Sequence, residues 1–309
     1  MVTAFVLSGG GSLGAVQVGM LQALAERHVR PDLLIGTSAG AINAAYVAGH
    51  GTTGPALESL TSIWCGLRRR DVFPSDPFRH LLAMAGRRPA LCSNSSLGHL
   101  IADHLPYADL EDAAIPLHVV ATNLLSGEEV LLSRGDAVSA VIASASIPGV
   151  LPPVEREGLT LVDGGVADNA ALSQALVLGA DEVYVPPAGY ARALERAPTS
   201  ALAVVVQALT LLIQRRLITE VETLSASVSV RIKVLPPLCP LAVSATDFGH
   251  ARGLIEQAHE VSGQWLDSGG TALPAPERFL SLHDHASDAK GDQCDIARRA
   301  LATDGRIIT

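Results

Sequence analysis

Residues 33–40 read Leu-Leu-Ile-Gly-Thr-Ser-Ala-Gly. The apolar run Leu33–Gly36 has the length and character of a buried strand. It passes directly into a G-x-S-x-G pattern at Gly36, Ser38 and Gly40, and the small residues Ala39–Ala48 that follow suit a helix packed closely on a sheet. Strand, sharp turn and helix in that order lift a serine clear of the sheet end. The amides that open the helix supply positive potential for a developing oxyanion. Ser38 is therefore the candidate nucleophile. Read without chemistry, the same pattern is a small-residue turn required only for packing.

Upstream, Ala4–Leu7 reads as another buried strand, followed by the loop Gly9-Gly10-Gly11-Ser12-Leu13-Gly14 and by Val16, Met20, Leu21 and Leu24 at helical spacing. Amides of such a loop can form an anion nest. Gly9, Gly11 and Gly14 also satisfy G-x-G-x-x-G, the dinucleotide fingerprint, which wants an acid at the far end of the second strand. Asp32 lies at about the right distance but at that strand's beginning, and the far end carries the serine turn. Two glycine-rich turns at neighbouring strand ends suit an oxyanion hole facing a serine better than a nucleotide.

Downstream, Leu117–Ala121, Val130–Leu132, Leu159–Val162 and Glu182–Val185 read as strands. Asp136–Ser144, Ala170–Leu178, Thr199–Leu224 and Phe248–Leu266 read as helices. This alternation predicts a three-layer α/β/α sandwich around a mainly parallel sheet. One domain over residues 1–268 is expected, then a polar tail over 269–309 with a short helix around Ile296–Leu301. Asp163-Gly164-Gly165 closes the strand Leu159–Val162 and offers Ser38 an acidic partner at a strand end. An Asp-Gly turn is also a common local motif with no chemistry. Asp168 and Asn169 suit the cap of the next helix.

Together these motifs resemble the patatin-like phospholipase family. The resemblance covers roughly Phe5–Val185 and includes Ala143-Ser144-Ala145-Ser146-Ile147-Pro148-Gly149, followed by Pro152 and Pro153, which is similar to the family's segment before the acid. It implies a Ser38–Asp163 dyad acting through an acyl-enzyme, with the backbone amides of Gly9, Gly10 and Gly11 holding the oxyanion. It also implies a lipid acyl ester as substrate, of phospholipase A or lysophospholipase type, with no cofactor or metal. This chain departs from the family at Leu13, where Arg or Lys is frequent. An esterase or thioesterase acting on soluble substrates, a nucleotide binder and a catalytically silent binding protein are the alternatives.

The formal net charge of −9 argues against nucleic acid, which needs a basic face. Yet residues 68–96 carry six arginines (Arg68, Arg69, Arg70, Arg79, Arg87 and Arg88) against Asp71 and Asp76. Leu81, Leu82 and Met84 are interleaved. A solvated connection is one reading, and a peripheral contact of the Arg68–Arg88 region with anionic lipid head groups is the other. The apolar stretch Ser200–Ile213 is too short to span a bilayer and reads as a buried helix, or as one resting on a membrane surface. Lys and Arg are absent before Arg27 and glycines break the first apolar run, so no signal peptide is expected. Cys65, Cys92, Cys239 and Cys294 show no close pairing, which suits a cytoplasmic chain. His250 and His259 fall in helical sequence, where a surface role outweighs a place in a triad. His283, Asp284 and His285 lack a further metal ligand at a recognisable spacing. The oligomeric state is not legible.

Overall fold

The computed structural model describes residues 1–167, 171–189, 197–227, 230–238 and 241–272. Among them the strands are β1 (Thr3–Leu7), β2 (Leu33–Thr37), β3 (Leu117–Asn123), β4 (Glu129–Leu132), β5 (Val154–Arg156), β6 (Leu159–Asp163), β7 (Glu182–Val185) and β8 (Arg231–Val234). The helices are α1 (Gly14–Glu26), α2 (Ala39–His50), α3 (Gly54–Gly66), α4 (Arg69–Val72), α5 (Pro77–Met84), α6 (Ser95–Ala102), α7 (Ala137–Ala145), α8 (Leu172–Val177), α9 (Ala201–Ser227) and α10 (Ala251–Asp267). The strands form one sheet in the order β5-β6-β3-β2-β1-β7-β8, with β4 also pairing β3. From β3 to β8 the sheet is parallel, whereas β4, β5 and β6 pair antiparallel.

Side chains of a strand alternate between its faces, and here each face buries its own core. Phe5, Leu7, Leu34 and Val119 pack with α1, α2, α3, α6, α7 and α10. Ala4, Val6, Leu33, Ile35 and Val183 pack with α8 and α9. The result is the α/β/α sandwich with a mostly parallel sheet that the alternation of strands and helices implied.

One register detail decides where the acid goes. Thr37 at the end of β2 lies opposite Val120 of β3, and Asp163 at the end of β6 lies opposite Ala121. Strand β4 holds the other edge of both Val120 and Ala121. Strands β2 and β6 therefore share one edge of β3, and because they run in opposite directions they meet end to end. The last residues of both converge, which brings Asp163 beside Ser38.

The structure corrects several expectations. The apolar stretch Ser200–Ile213 is not a buried helix. It opens α9, where Val206 and Thr210 are buried but Val204, Val205, Leu211 and Leu212 are exposed. Strands β5 and β8 were not expected, the former for its three residues and the latter for its charges. Lys233 and Arg231 of β8 both pair with Glu182 of β7, which makes a charged strand tolerable beside a core one. No helix among the described residues is long and apolar enough to cross a membrane. Past α10 only the single turn Gly270–Ala272 is described. The tail beyond it, with the Ile296–Leu301 helix and the His283, Asp284 and His285 group, lies outside the described residues, as do the cap at Asp168 and Asn169 and the thiols of Cys239 and Cys294.

Candidate active site

Ser38 stands between β2 and α2 with φ 54° and ψ −121°, a conformation rare for a residue with a Cβ. The turn is held tight by close packing. A Cβ on Gly40 would lie 2.1 Å from the Leu7 carbonyl oxygen, so only glycine lets α2 approach β1 this closely. The Ser38 amide donates to the Ser144 hydroxyl at 2.8 Å, which ties the turn to the end of α7.

The Ser38 hydroxyl donates to Asp163 Oδ2 at 2.7 Å, and Asp163 Oδ1 accepts from the Gly165 amide at 2.9 Å. The Asp163 amide donates to the Ser146 carbonyl, and the Thr122 hydroxyl donates to the Asp163 carbonyl at 2.9 Å. The segment Ala143–Gly149 thus braces the serine through Ser144 and the acid through Ser146. Burial pushes the Asp163 carboxyl up to about 6, against the opposing pull of the hydrogen bonds from Ser38 and Gly165. An aspartate with an ordinary value of ~3.9 is a weak base at neutral pH. One at about 6 is far better matched to taking a proton from a hydroxyl.

The glycine loop faces this pair from β1. Gly11 has φ +59°, and a Cβ there would lie 2.4 Å from the Ala245 carbonyl oxygen. Ser12 is anchored twice to the segment before α10, its amide to Ala245 and its hydroxyl to Ser244. The Leu13 amide returns to the Gly10 carbonyl. The amides of Gly10 and Gly11 meet no acceptor among the described residues. Leu13, where the family often has a cation, is fully buried in the larger core.

A narrow cavity of about 70 Å³, lined by Ser38 and Gly11, runs between α2, α3 and α6. Its wall is almost wholly apolar, with Ile42, Leu60, Trp64, Leu97, Ile101 and Phe248 prominent. A hydroxyl bonded to a buried carboxylate, two loop amides without an acceptor among the described residues and an apolar slot form a set suited to acyl transfer.

A buried polar network sets the frame, and the sequence reading missed it. Trp64 Nε1 donates to Asn43 Oδ1, Asn43 Nδ2 donates to Gln17 Oε1 and the Gly14 carbonyl, and Gln17 Nε2 donates to the carbonyls of Ser8 and Pro186. Every amide hydrogen of both side chains is used, which fixes α1 and α2 against the start of the glycine loop. The available signal was one carboxamide within the apolar run of each helix, Gln17 in α1 and Asn43 in α2.

Other candidates lie elsewhere. Asp32 accepts from the Thr3 amide at the start of β1, the opposite end of the sheet from the glycine loop, so it cannot hold a ribose there. His250 pairs with Asp247 and His259 with Glu26, and neither hydrogen-bonds Ser38 or Asp163. No group of three metal-ligating side chains occurs among the described residues.

The family model described as patatin-like phospholipase matches residues 5–176, more than half the chain and all of the motifs above. An uncharacterized NTE family protein of Mycobacterium bovis is 32% identical over 170 residues, covering 53% of this chain and 26% of that protein. Lysophospholipase NTE1 of Pyricularia oryzae is 29% identical over 184 residues, covering 60% of this chain and 12% of that protein. The match thus spans only a small part of the length of these relatives. The solved structure of VipD from Legionella pneumophila matches with a TM-score of 0.46 and 16% identity, covering 97% of this chain and 74% of that one. With a family model that takes in the serine turn, the glycine loop and the acid together, the chain belongs to the patatin-like phospholipase family.

Proposed function

We propose that this chain is a lipid acyl hydrolase of the phospholipase A or lysophospholipase type, working through a Ser38–Asp163 dyad. The observation that carries the reading is the 2.7 Å hydrogen bond from the Ser38 hydroxyl to a fully buried carboxylate, beside an apolar cavity that Ser38 itself lines. Asp163 takes the Ser38 proton as Oγ attacks the ester carbonyl carbon. The carbonyl oxygen becomes an oxyanion held by the amides of Gly10 and Gly11. Gly9, in the same loop, is the remaining member of that expected donor set. As the tetrahedral intermediate collapses, the bond to the alcohol oxygen breaks and Asp163 returns the proton to that oxygen. Water then attacks the acyl-enzyme, giving its proton to Asp163, and the fatty acid leaves as Ser38 regains its hydrogen.

The apolar wall favours a hydrocarbon acyl chain over a polar one, which supports lipid over small soluble esters. Substrate of this kind is met at a lipid surface, and the arginines between Arg68 and Arg88 suit contact with anionic head groups. The free thiols of Cys65 and Cys92 fit a reducing, cytoplasmic setting.

The test is hydrolysis of p-nitrophenyl esters of increasing acyl length by the native protein and by Ser38→Ala. Hydrolysis that peaks beyond the shortest chains and disappears in Ser38→Ala is expected. Equal rates in both proteins, or none in either, would refute the reading.

A further inference from the structure

Helix α5 turns an apolar side outward. Arg79, His80, Leu82 and Ala83 are half-buried, while Pro77, Phe78, Leu81, Met84 and Ala85 line its outer side. Phe78 is 69% exposed, Leu81 63% and Met84 84%. At 100° per residue these outer positions form one unbroken apolar stripe with no polar residue in it. The helix is nonetheless well made. Asp76 caps its first turn by accepting from the amides of Phe78 and Arg79. Gly86, at φ +68°, closes its last turn while the Arg87 amide donates to the Leu82 carbonyl. A capped helix with its apolar side turned outward is built for an apolar environment outside the chain.

Charge selects that environment. No acidic residue occurs from Pro77 to Ser96, whereas Arg87 and Arg88 follow the helix directly and are exposed. Before it come Arg68, Arg69 and Arg70, also exposed. Of the two nearby acids, Asp76 accepts from the helix amides, and Asp71 accepts from the Arg68 amide and pairs with Arg70 at 3.9 Å, so the six arginines of this region still outnumber its acids. Cations therefore flank the stripe on a chain whose formal net charge is −9. This is the pattern of an interfacial helix on anionic lipid. The position fits too. Val72 and Phe73, just before α5, line the cavity beside Ser38, and the Phe73 ring stands 6.3 Å from that of Phe248 on the same wall.

We infer that α5 is a docking helix that inserts Phe78, Leu81 and Met84 into an anionic bilayer, with Arg87, Arg88 and the arginines before the helix on the head groups, and that it holds the cavity against the lipid surface. The inference rests on the lipid acyl hydrolase reading for its purpose, but docking is measured without turnover.

The experiment uses the full chain carrying Ser38→Ala, sedimented with phosphatidylcholine vesicles with and without phosphatidylglycerol. Two further forms add Phe78→Ser/Leu81→Ser/Met84→Ser or Arg87→Glu/Arg88→Glu. The parent is expected to bind only the anionic vesicles and to be released by salt. The triple serine form should bind at least tenfold more weakly. The double glutamate form should lose more than about 25-fold, since each arginine near such a surface is worth roughly fivefold. With Ser38 restored, both forms should hydrolyse p-nitrophenyl butyrate at the native rate, which shows that they fold. Parent protein that ignores anionic vesicles, or a triple serine form that binds as the parent does, would overturn the inference. So would a parent dimer that the serine changes convert to a monomer in sedimentation velocity, because the stripe would then be a contact between copies. Loss of butyrate hydrolysis in the native protein itself would strike the hydrolase reading and leave docking to be judged by the vesicles.

Discussion

At the scale of single residues, burial of Asp163 beside Ser38 carries a cost in stability. Asp163 has a folded value of about 6, above the ordinary ~3.9 of an unfolded chain. Its ionised form is thus disfavoured by folding. The cost is absent below about pH 4 and fully present above about pH 6, where it reaches the order of 3 kcal/mol. Asp163→Asn keeps the shape and can still bond Ser38 and the Gly165 amide, but it carries no charge and accepts no proton. Its ester hydrolysis should vanish, while its melting temperature should exceed the native value at pH 7 and match it near pH 4. Thermal melts at the two pH values check this. Ser144→Ala tests the brace on the turn. It strands the buried Ser38 amide, which should cost about 1–3 kcal/mol and lower kcat by loosening a nucleophile already at positive φ. A melt and a kcat measurement read the two effects. Ser38 and Asp163 could be singled out in the sequence because each sits in a contiguous pattern, G-x-S-x-G or Asp-Gly-Gly. Ser144 could not be given its contact with Ser38, because that contact joins residues 106 apart.

Elements were legible where their burial is simple. Strands β1 and β2 are apolar runs and β3 and β7 mostly so, and the sequence marks all four within a residue or two. Helix α5 was not, because Leu81, Leu82 and Met84 announce apolar character without saying which way it turns. Strand β8 was hidden because its charges make sense only beside Glu182, which is distant in sequence. Helices α1 and α10 show how closely elements are fitted here. A Cβ on Gly19 would lie 2.1 Å from the Ile255 carbonyl oxygen, backbone that cannot yield without moving α10. Gly19→Val should therefore destabilise by about 3 kcal/mol or more, as overpacking against backbone does, and lower the midpoint of urea unfolding accordingly. Asn43→Ala would strand Trp64 Nε1 and Gln17 Oε1 in one change. A loss of about 2–4 kcal/mol is expected from the same measurement.

For the molecule as a whole, the class of sandwich was readable from the alternation of strands and helices, but the strand order was not. No local pattern says that β6 abuts the end of β2 along β3, yet that junction is what joins Ser38 to Asp163. The pH dependence of the whole protein should carry its signature. If Asp163 must be ionised to accept the Ser38 proton, kcat/KM should fall about tenfold per unit below a midpoint near 6 and level off above it. A profile with its midpoint near 4 would place the base in a solvated carboxyl instead.

The central claim, that Ser38 is a nucleophile activated by Asp163, is tested most directly by exposing the native protein to a fluorophosphonate and locating any adduct by peptide mass spectrometry. The account predicts a single adduct on Ser38, absent from Ser38→Ala and strongly slowed in Asp163→Asn. An adduct elsewhere, none at all, or undiminished labelling without Asp163 would contradict it.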